Sequence, residues 1–273
     1  MTKPFLKWVG GKRQLLDEIL PRVPDNFDTY YEPFIGGGAV FFALEPSKAV
    51  ISDINSELIN AYTVLRDDCH KLIKELDKYD NTEEMYYAVR ELDRDHKNYY
   101  NTTTPLERAA RFIYLNKTCF NGLYRENKKG QFNVPYGKRE FVTISDESTL
   151  VSCADDLISS NTQIVTSDFG IITKSKPGDF VYLDPPYIPL SVTSSFTSYS
   201  KSGFGMMDQI RLRDICIDLD NRGVKWMLSN SSADAVYSLY TGFNIDEVDA
   251  KRKVSASVSG RRKVKEVLIR NYK

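Results

Sequence analysis

The chain predicts an α/β fold: a mostly parallel sheet with helices on both faces, a C-terminal antiparallel hairpin, and an inserted, mainly helical subdomain. Three observations carry that reading. Strand-like and helix-like patterns alternate in two separated segments, as they do when parallel strands are joined by crossover helices. Helical patterns alone fill the stretch between those segments. The first strand runs straight into Gly36-Gly37-Gly38, the kind of turn that opens a ligand-binding α/β sheet.

In the first segment, Thr29 to Phe34 reads as a strand, Ala39 to Leu44 as a short helix, and Ala49 to Ser52 as a second strand ending at Asp53. The second segment begins with strands at Gln163 to Thr166 and Phe180 to Leu183. A helix from Asp208 to Asn221, stopped by Gly223, leads into a strand at Val224 to Leu228. Asn244 to Val248 and Val264 to Arg270 read as two strands around a Ser/Gly/Arg-rich loop. Between the segments, Thr104 can cap a helix, Pro105 suits its first position, and Glu107 can bond back to the cap. Ala109, Phe112, Ile113 and Leu115 then mark one apolar face. Asn127-Lys128-Lys129-Gly130 reads as a hairpin turn. The expected division is an α/β domain of residues 1–55 and 157–273, with an inserted subdomain at 56–156 carrying a hairpin at about 119–139.

Composition narrows the class. With 41% hydrophobic and 27% charged residues, the chain reads as an ordinary globular protein. Lys+Arg and Asp+Glu balance at 37 each, so net charge points to no partner, but distribution does. Arg111, Lys117, Arg125, Lys128, Lys129, Lys138 and Arg139 face only Glu126 in sequence, and the stretch from Lys251 to Lys273 is as basic. Two basic surfaces are expected, with solvated faces the plainer alternative. Four scattered cysteines and two histidines argue against a zinc site or a disulfide framework. With no membrane-length apolar run or signal peptide, a cytoplasmic protein is expected, monomeric by default.

Three constellations carry chemistry. Asp184-Pro185-Pro186-Tyr187 follows the apolar run Phe180 to Leu183, so a carboxylate, a stiffened carbonyl and an aromatic face meet at a strand's carboxyl end. Those parts can hold a planar amine-bearing ring, although a rigid strand-to-loop stop would use the same residues. Phe34-Ile35-Gly36-Gly37-Gly38 lets backbone approach a ligand closely, and Asp53 ends the next strand at the spacing of a ribose-binding acid. A nucleoside-containing cofactor is favoured. The spaced glycine pattern of dinucleotide sites is absent, and so is the lysine of a P-loop. At Phe5-Leu6-Lys7-Trp8-Val9-Gly10-Gly11-Lys12, Trp8 could meet a cationic cofactor and Lys12 a carboxylate. Alone, that stretch reads as an N-terminal arm with a core tryptophan.

Taken in order, these three stretches resemble the Dam family, the α-class DNA adenine-N6 methyltransferases that modify GATC, particularly bacterial restriction-modification and phage members. The likeness extends to Asn121 to Arg125, Gln131 to Gly137, Pro189-Leu190-Ser191 and Phe196 to Tyr199, and so spans the chain. It implies a class I S-adenosylmethionine-dependent methyltransferase fold, with no metal, acting on double-stranded DNA. S-adenosylmethionine would lie over Phe34, Gly36 and Gly38, with Asp53 on its ribose hydroxyls, Trp8 and Lys12 about its methionine end, and Asp168 on its adenine. The resemblance implies that Asp184 contacts the cofactor as well as the base. Asp184 and Pro185 would accept hydrogen bonds from the amine of a flipped-out adenine, and Tyr187 would stack on that base.

The same resemblance assigns DNA reading. Arg125 would pair with a guanine edge, Leu123 and Pro135 would contact bases through apolar surface, and Lys7 would touch the first guanine. Phe120 would wedge beside the vacated stack, helped by Asn121. Phe120 departs from the tyrosine of some members, which removes a hydroxyl but keeps a stacking face. Arg261, Arg262 and Lys263 would meet phosphates. Relatives acting on cytosine or on protein glutamine usually carry Ser or Asn where this chain has Asp184. A non-catalytic DNA-binding descendant is the other alternative, against which the intact Asp53, Asp184 and Tyr187 speak.

Overall fold

The computed structural model describes residues 1–190, 203–250 and 264–273. Its strands are β1 (Tyr30–Glu32), β2 (Ala49–Asp53), β3 (Gln163–Thr166), β4 (Phe180–Leu183), β5 (Lys225–Ser231), β6 (Asn244–Ala250) and β7 (Val264–Arg270). They form one sheet in the order β3-β2-β1-β4-β5-β7-β6. β1 pairs in parallel with β2 and β4, and β4 with β5, while β7 runs antiparallel to both β5 and β6. This is the mixed α/β arrangement of a class I methyltransferase. The helices described are α1 (Leu16–Ile19), α2 (Ala39–Leu44), α3 (Ser56–Leu76), α4 (Glu83–Glu91), α5 (His96–Thr102), α6 (Pro105–Thr118), α7 (Glu147–Ser159), α8 (Met206–Asn221) and α9 (Asp234–Leu239).

Two compact units are present. One comprises Met1–Lys12, Gly36–Glu45 and Asp53–Thr166, and is chiefly helical. In it, Asn55 caps α3 by accepting from the amides of Glu57 and Leu58, at 3.1 and 3.0 Å. Thr104 and Glu107 form the reciprocal capping box at the start of α6. Ala109, Phe112, Ile113 and Leu115, expected on one face of α6, are buried, but so are Ala110, Arg111, Tyr114 and Asn116 between and beside them, so the helix is covered all round and not along a single face.

The other unit comprises Arg13–Ile35, Pro46–Ser52 and Ser167–Lys273 and holds most of the sheet. Phe180, Val181, Tyr182 and Leu183 of β4 are fully buried, as a strand central to a parallel sheet must be. β1 is shorter than the sequence suggests because Pro33 brings no N–H to the ladder. β5 is longer than expected, continuing through Ser229, Asn230 and Ser231, because β7 pairs along it and each of these polar side chains has a hydrogen-bonding partner. Parallel pairing from β2 through β5 sets the carboxyl ends of these strands along one edge of the sheet, and Asp184 follows β4 there.

Charge is distributed less simply than along the sequence. Arg111 is buried and pairs with Asp93 at 2.8 Å, so it belongs to the interior and not to a basic surface. Among the described residues no helix is long and apolar enough to cross a membrane.

Candidate active site

Within the helical unit, the glycine turn is built around Gly36. Its amide donates to Asp53 Oδ2 at 3.2 Å, and its carbonyl accepts from the Tyr62 hydroxyl at 3.1 Å. A Cβ at this position would come within 2.6 Å of the Trp8 ring, so only glycine leaves room for the indole. Trp8 in turn stacks on Tyr124 and Phe112, with centroids 5.6 and 6.2 Å away. The N-terminal arm is therefore a packed element and Trp8 a fixed face. Lys12 is buried and donates from Nζ to the Gly10 carbonyl at 2.7 Å. Gly38 begins α2 as its N-cap.

Asp53 ends β2 with Oδ1 accepting from the Asn55 amide at 3.0 Å and Oδ2 from Gly36. Burial raises its pKa, opposed by the backbone amides that bond to it. A carboxylate has about four acceptor positions, so backbone bonds of this kind orient it and leave capacity for a diol. A half-buried acid steered by backbone beside a fixed aromatic face fits a nucleoside-bearing cofactor.

In the sheet unit, Phe34 stacks on Phe169 at 5.7 Å and meets Phe204 edge-on at 5.8 Å. Arg211 lies 4.4 Å over the Phe169 ring and pairs with Asp168 at 2.6 Å. Asp168 is exposed, also accepts from the Gly170 amide at 2.9 Å, and is held below the usual carboxylate range first by the Arg211 hydrogen bond.

The loop after β4 is pinned from several elements of the same unit. Pro186 O accepts from Gln209 Nε2 of α8 at 2.7 Å. Tyr187 donates its hydroxyl to Glu266 Oε2 of β7 at 2.7 Å. Ile188 donates its amide to Asn230 Oδ1 at 3.1 Å, and its carbonyl accepts from Ser231 Oγ. Pro185 is buried, and Asp184 and Tyr187 are half-buried. The Tyr187 phenol is pushed well above its ordinary pKa, mainly by burial and then by the charges of Asp184 and Glu266. Sequence reading missed Gln209, Asn230, Ser231 and Glu266. Ser229-Asn230-Ser231 looks like loop, and nothing local to Glu266 indicates a tyrosine 79 residues away.

The residues assigned to DNA reading and lying among those described share the helical unit. A short 3-10 turn at Phe120–Gly122 leaves Phe120 49% exposed, a large ring offered to solvent. Asn121 takes φ +56°, a left-handed conformation that asparagine tolerates better than most residues. A Cβ on Gly122 would fall 2.6 Å from Lys7 Cβ, so glycine there lets the arm and the turn touch. Buried Asn116 clasps the two: its Oδ1 accepts from Lys7 N at 2.9 Å, and its Nδ2 donates to Lys7 O at 2.7 Å and to Gly122 O at 3.3 Å. Asn116 was also missed, yet a polar residue on the buried side of α6 was a readable signal of an interior hydrogen-bonding role.

The hairpin forms as expected, with Gly130 N bonded to Asn127 O at 3.0 Å. Arg125 is exposed, its Nε donating to Asn133 Oδ1 at 2.7 Å. Leu123 is half-exposed and Pro135 exposed, the latter's carbonyl accepting from Phe120 N at 2.9 Å. Lys7 is exposed overall, and partial desolvation, then the Arg139 charge, lowers its pKa. Arg261, Arg262, Lys263 and Phe196 to Tyr199 lie outside the described residues.

Comparison with known proteins agrees with the resemblance read from these motifs. The profile of the D12 class N6 adenine-specific DNA methyltransferases matches residues 8–254. A type II methyltransferase of Lactococcus lactis subsp. cremoris is 46% identical over 99% of this chain and 95% of its own length. Another, from Methanocaldococcus jannaschii, is 45% identical over 99% of each chain. The DNA adenine methylase of Serratia marcescens is 35% identical over 98% of this chain and 97% of its own. A family match across most of the chain, on a sheet of this order, with a pinned Asp-Pro-Pro-Tyr loop, leaves one assignment: the chain belongs to the D12 class of N6 adenine-specific DNA methyltransferases.

Proposed function

We propose that this enzyme methylates the N6 amine of an adenine flipped out of double-stranded DNA, in the sequence GATC. The observation that carries the reading is the Asp184–Tyr187 loop at the carboxyl end of β4, held by Gln209, Glu266, Asn230 and Ser231. S-adenosylmethionine, which the family implies as methyl donor, supplies an electrophilic methyl group when bound. By the family resemblance, Asp53 would hold its ribose, Phe34, Gly36 and Gly38 would lie under it, Asp168 would meet its adenine, Trp8 and Lys12 would enclose its methionine end, and Asp184 would also contact it.

The lone pair of an adenine amine is delocalised into the ring, which makes the free amine a poor nucleophile. Asp184 and the Pro185 carbonyl would accept hydrogen bonds from its two N–H groups, draw the nitrogen toward a tetrahedral geometry and stabilise the positive charge that develops as the N–CH3 bond forms and the S–CH3 bond breaks, after which the extra proton leaves to water. Tyr187 stacks on the extruded base and offsets an unstacking cost of a few kcal/mol. Recognition belongs to residues 56–156 together with Lys7: Arg125 reads a guanine, Leu123 and Pro135 give apolar contacts, and Phe120 and Asn121 support the gap left by the base. Arg261 and Arg262 bind phosphates. Catalysis belongs to residues 1–55 and 157–273.

The test is transfer of labelled methyl from S-adenosylmethionine to duplexes with one GATC, against the same duplexes with single-base changes. Incorporation confined to GATC is expected, together with a rise in fluorescence when 2-aminopurine replaces the target adenine. Equal incorporation into every duplex would refute the site, and no fluorescence rise would refute flipping.

A further inference from the structure

We propose that Glu266 is a positioning residue that holds the Tyr187 ring at the angle needed to stack on the target base. The proposal rests on the stacking role given to Tyr187 above. Four observations carry it. Tyr187 and Glu266 meet directly, hydroxyl to carboxylate oxygen, at 2.7 Å. Burial, then the charges of Asp184 and Glu266, push the Tyr187 phenol well above its ordinary pKa, so its hydroxyl is the donor to Glu266 Oε2. Glu266 stands on β7 opposite Ser231 of β5 and Val248 of β6, inside a three-strand ladder. Next in β7 come Val267, Leu268 and Ile269, all fully buried, so its backbone cannot drift.

A tyrosine ring is attached to the chain only through Cβ. Anchoring the opposite end fixes the direction of the ring axis, and hence χ1. The phenolic O–H also prefers the ring plane, which restrains rotation about that axis. The following residue, Ile188, is held at its amide and carbonyl by Asn230 and Ser231. β5 and β7 thus fix backbone and ring together, and of these bonds only that from Glu266 reaches the stacking ring itself. Stacking is worth little if the amine is delivered at the wrong angle, since small misplacements of reacting groups cost large factors in rate.

The experiment compares full-length Glu266→Ala, Glu266→Gln, Tyr187→Phe, Tyr187→Ala and the double variant Glu266→Ala/Tyr187→Phe in single-turnover methyl transfer, alongside S-adenosylmethionine affinity and melting temperature. Glu266→Ala and Tyr187→Phe should each slow transfer by roughly tenfold to a hundredfold with cofactor affinity kept. The double variant should be no slower than the worse single one, because both remove the same bond. Glu266→Gln, which still accepts through its amide oxygen, should recover most of the rate. Multiplicative losses in the double variant, or full activity in Glu266→Ala beside a crippled Tyr187→Ala, would overturn the tether alone. Full activity in Tyr187→Ala would instead overturn the stacking role on which it rests.

Discussion

Asp53 shows how one residue trades stability against binding. Buried, its carboxylate titrates above the ordinary range, so the folded chain holds that proton more tightly than the unfolded one. Its contribution to stability is therefore greatest in acid and is lost as pH rises through the raised pKa. Ligand binding asks for the opposite state, an ionised acceptor. Asp53→Ala should weaken S-adenosylmethionine binding by about 10- to 100-fold, the worth of roughly 1.5–3 kcal/mol for a hydrogen bond to a charged group. Calorimetry at neutral pH measures this, and the same experiment on the parent chain should show affinity falling as pH drops through the Asp53 pKa. Affinity unchanged by the substitution would remove Asp53 from the cofactor site.

At the scale of elements, local rules explain most of what forms, and interior polar groups explain how the elements are set. The Thr104–Glu107 capping box and the apolar residues of α6 are local, so they were legible. Asn116 on the same helix has a different task, joining the N-terminal arm at Lys7 to the turn at Gly122. Asn116→Ala leaves one amide and two carbonyls without this partner. It should lower the denaturation free energy by about 1–3 kcal/mol. If Lys7 touches the first guanine and Leu123 a base, as the resemblance implies, the variant should also lose discrimination at the first guanine more than it loses turnover on GATC. A stability loss with discrimination intact would make Asn116 a packing residue only. β5 makes a related point. Its polar end lies beyond the strand expected from the sequence because strands are recognised by apolar runs, whereas Ser229, Asn230 and Ser231 are buried with hydrogen bonds to the segment around β4.

For the molecule as a whole, charge balance hides function. Equal numbers of acids and bases cancel, and Arg111, counted among a basic cluster by position, is spent on a buried pair with Asp93. DNA affinity should then depend on a few cations, Arg261 and Arg262 among them on the proposed reading. Replacing Arg261 and Arg262 by Ala should lower the slope of log affinity against log salt by about 1 for each phosphate that is no longer neutralised, without altering sequence choice. Altered discrimination would make either one a base-reading residue. What the sequence determined by itself was the α/β class, the approximate positions of the strands, the capping of α6 and the three motifs to which chemistry is assigned. Each of these depends on neighbours within a few residues: hydrophobic period, proline and glycine geometry, a carboxylate at a strand's end. What only the tertiary structure decided was which distant groups orient those motifs: Glu266 on Tyr187, Gln209 on Pro186, Asn230 on Ile188, Asn116 on Lys7. Such partners are chosen by strand order and helix packing, which bring together residues that no local pattern relates.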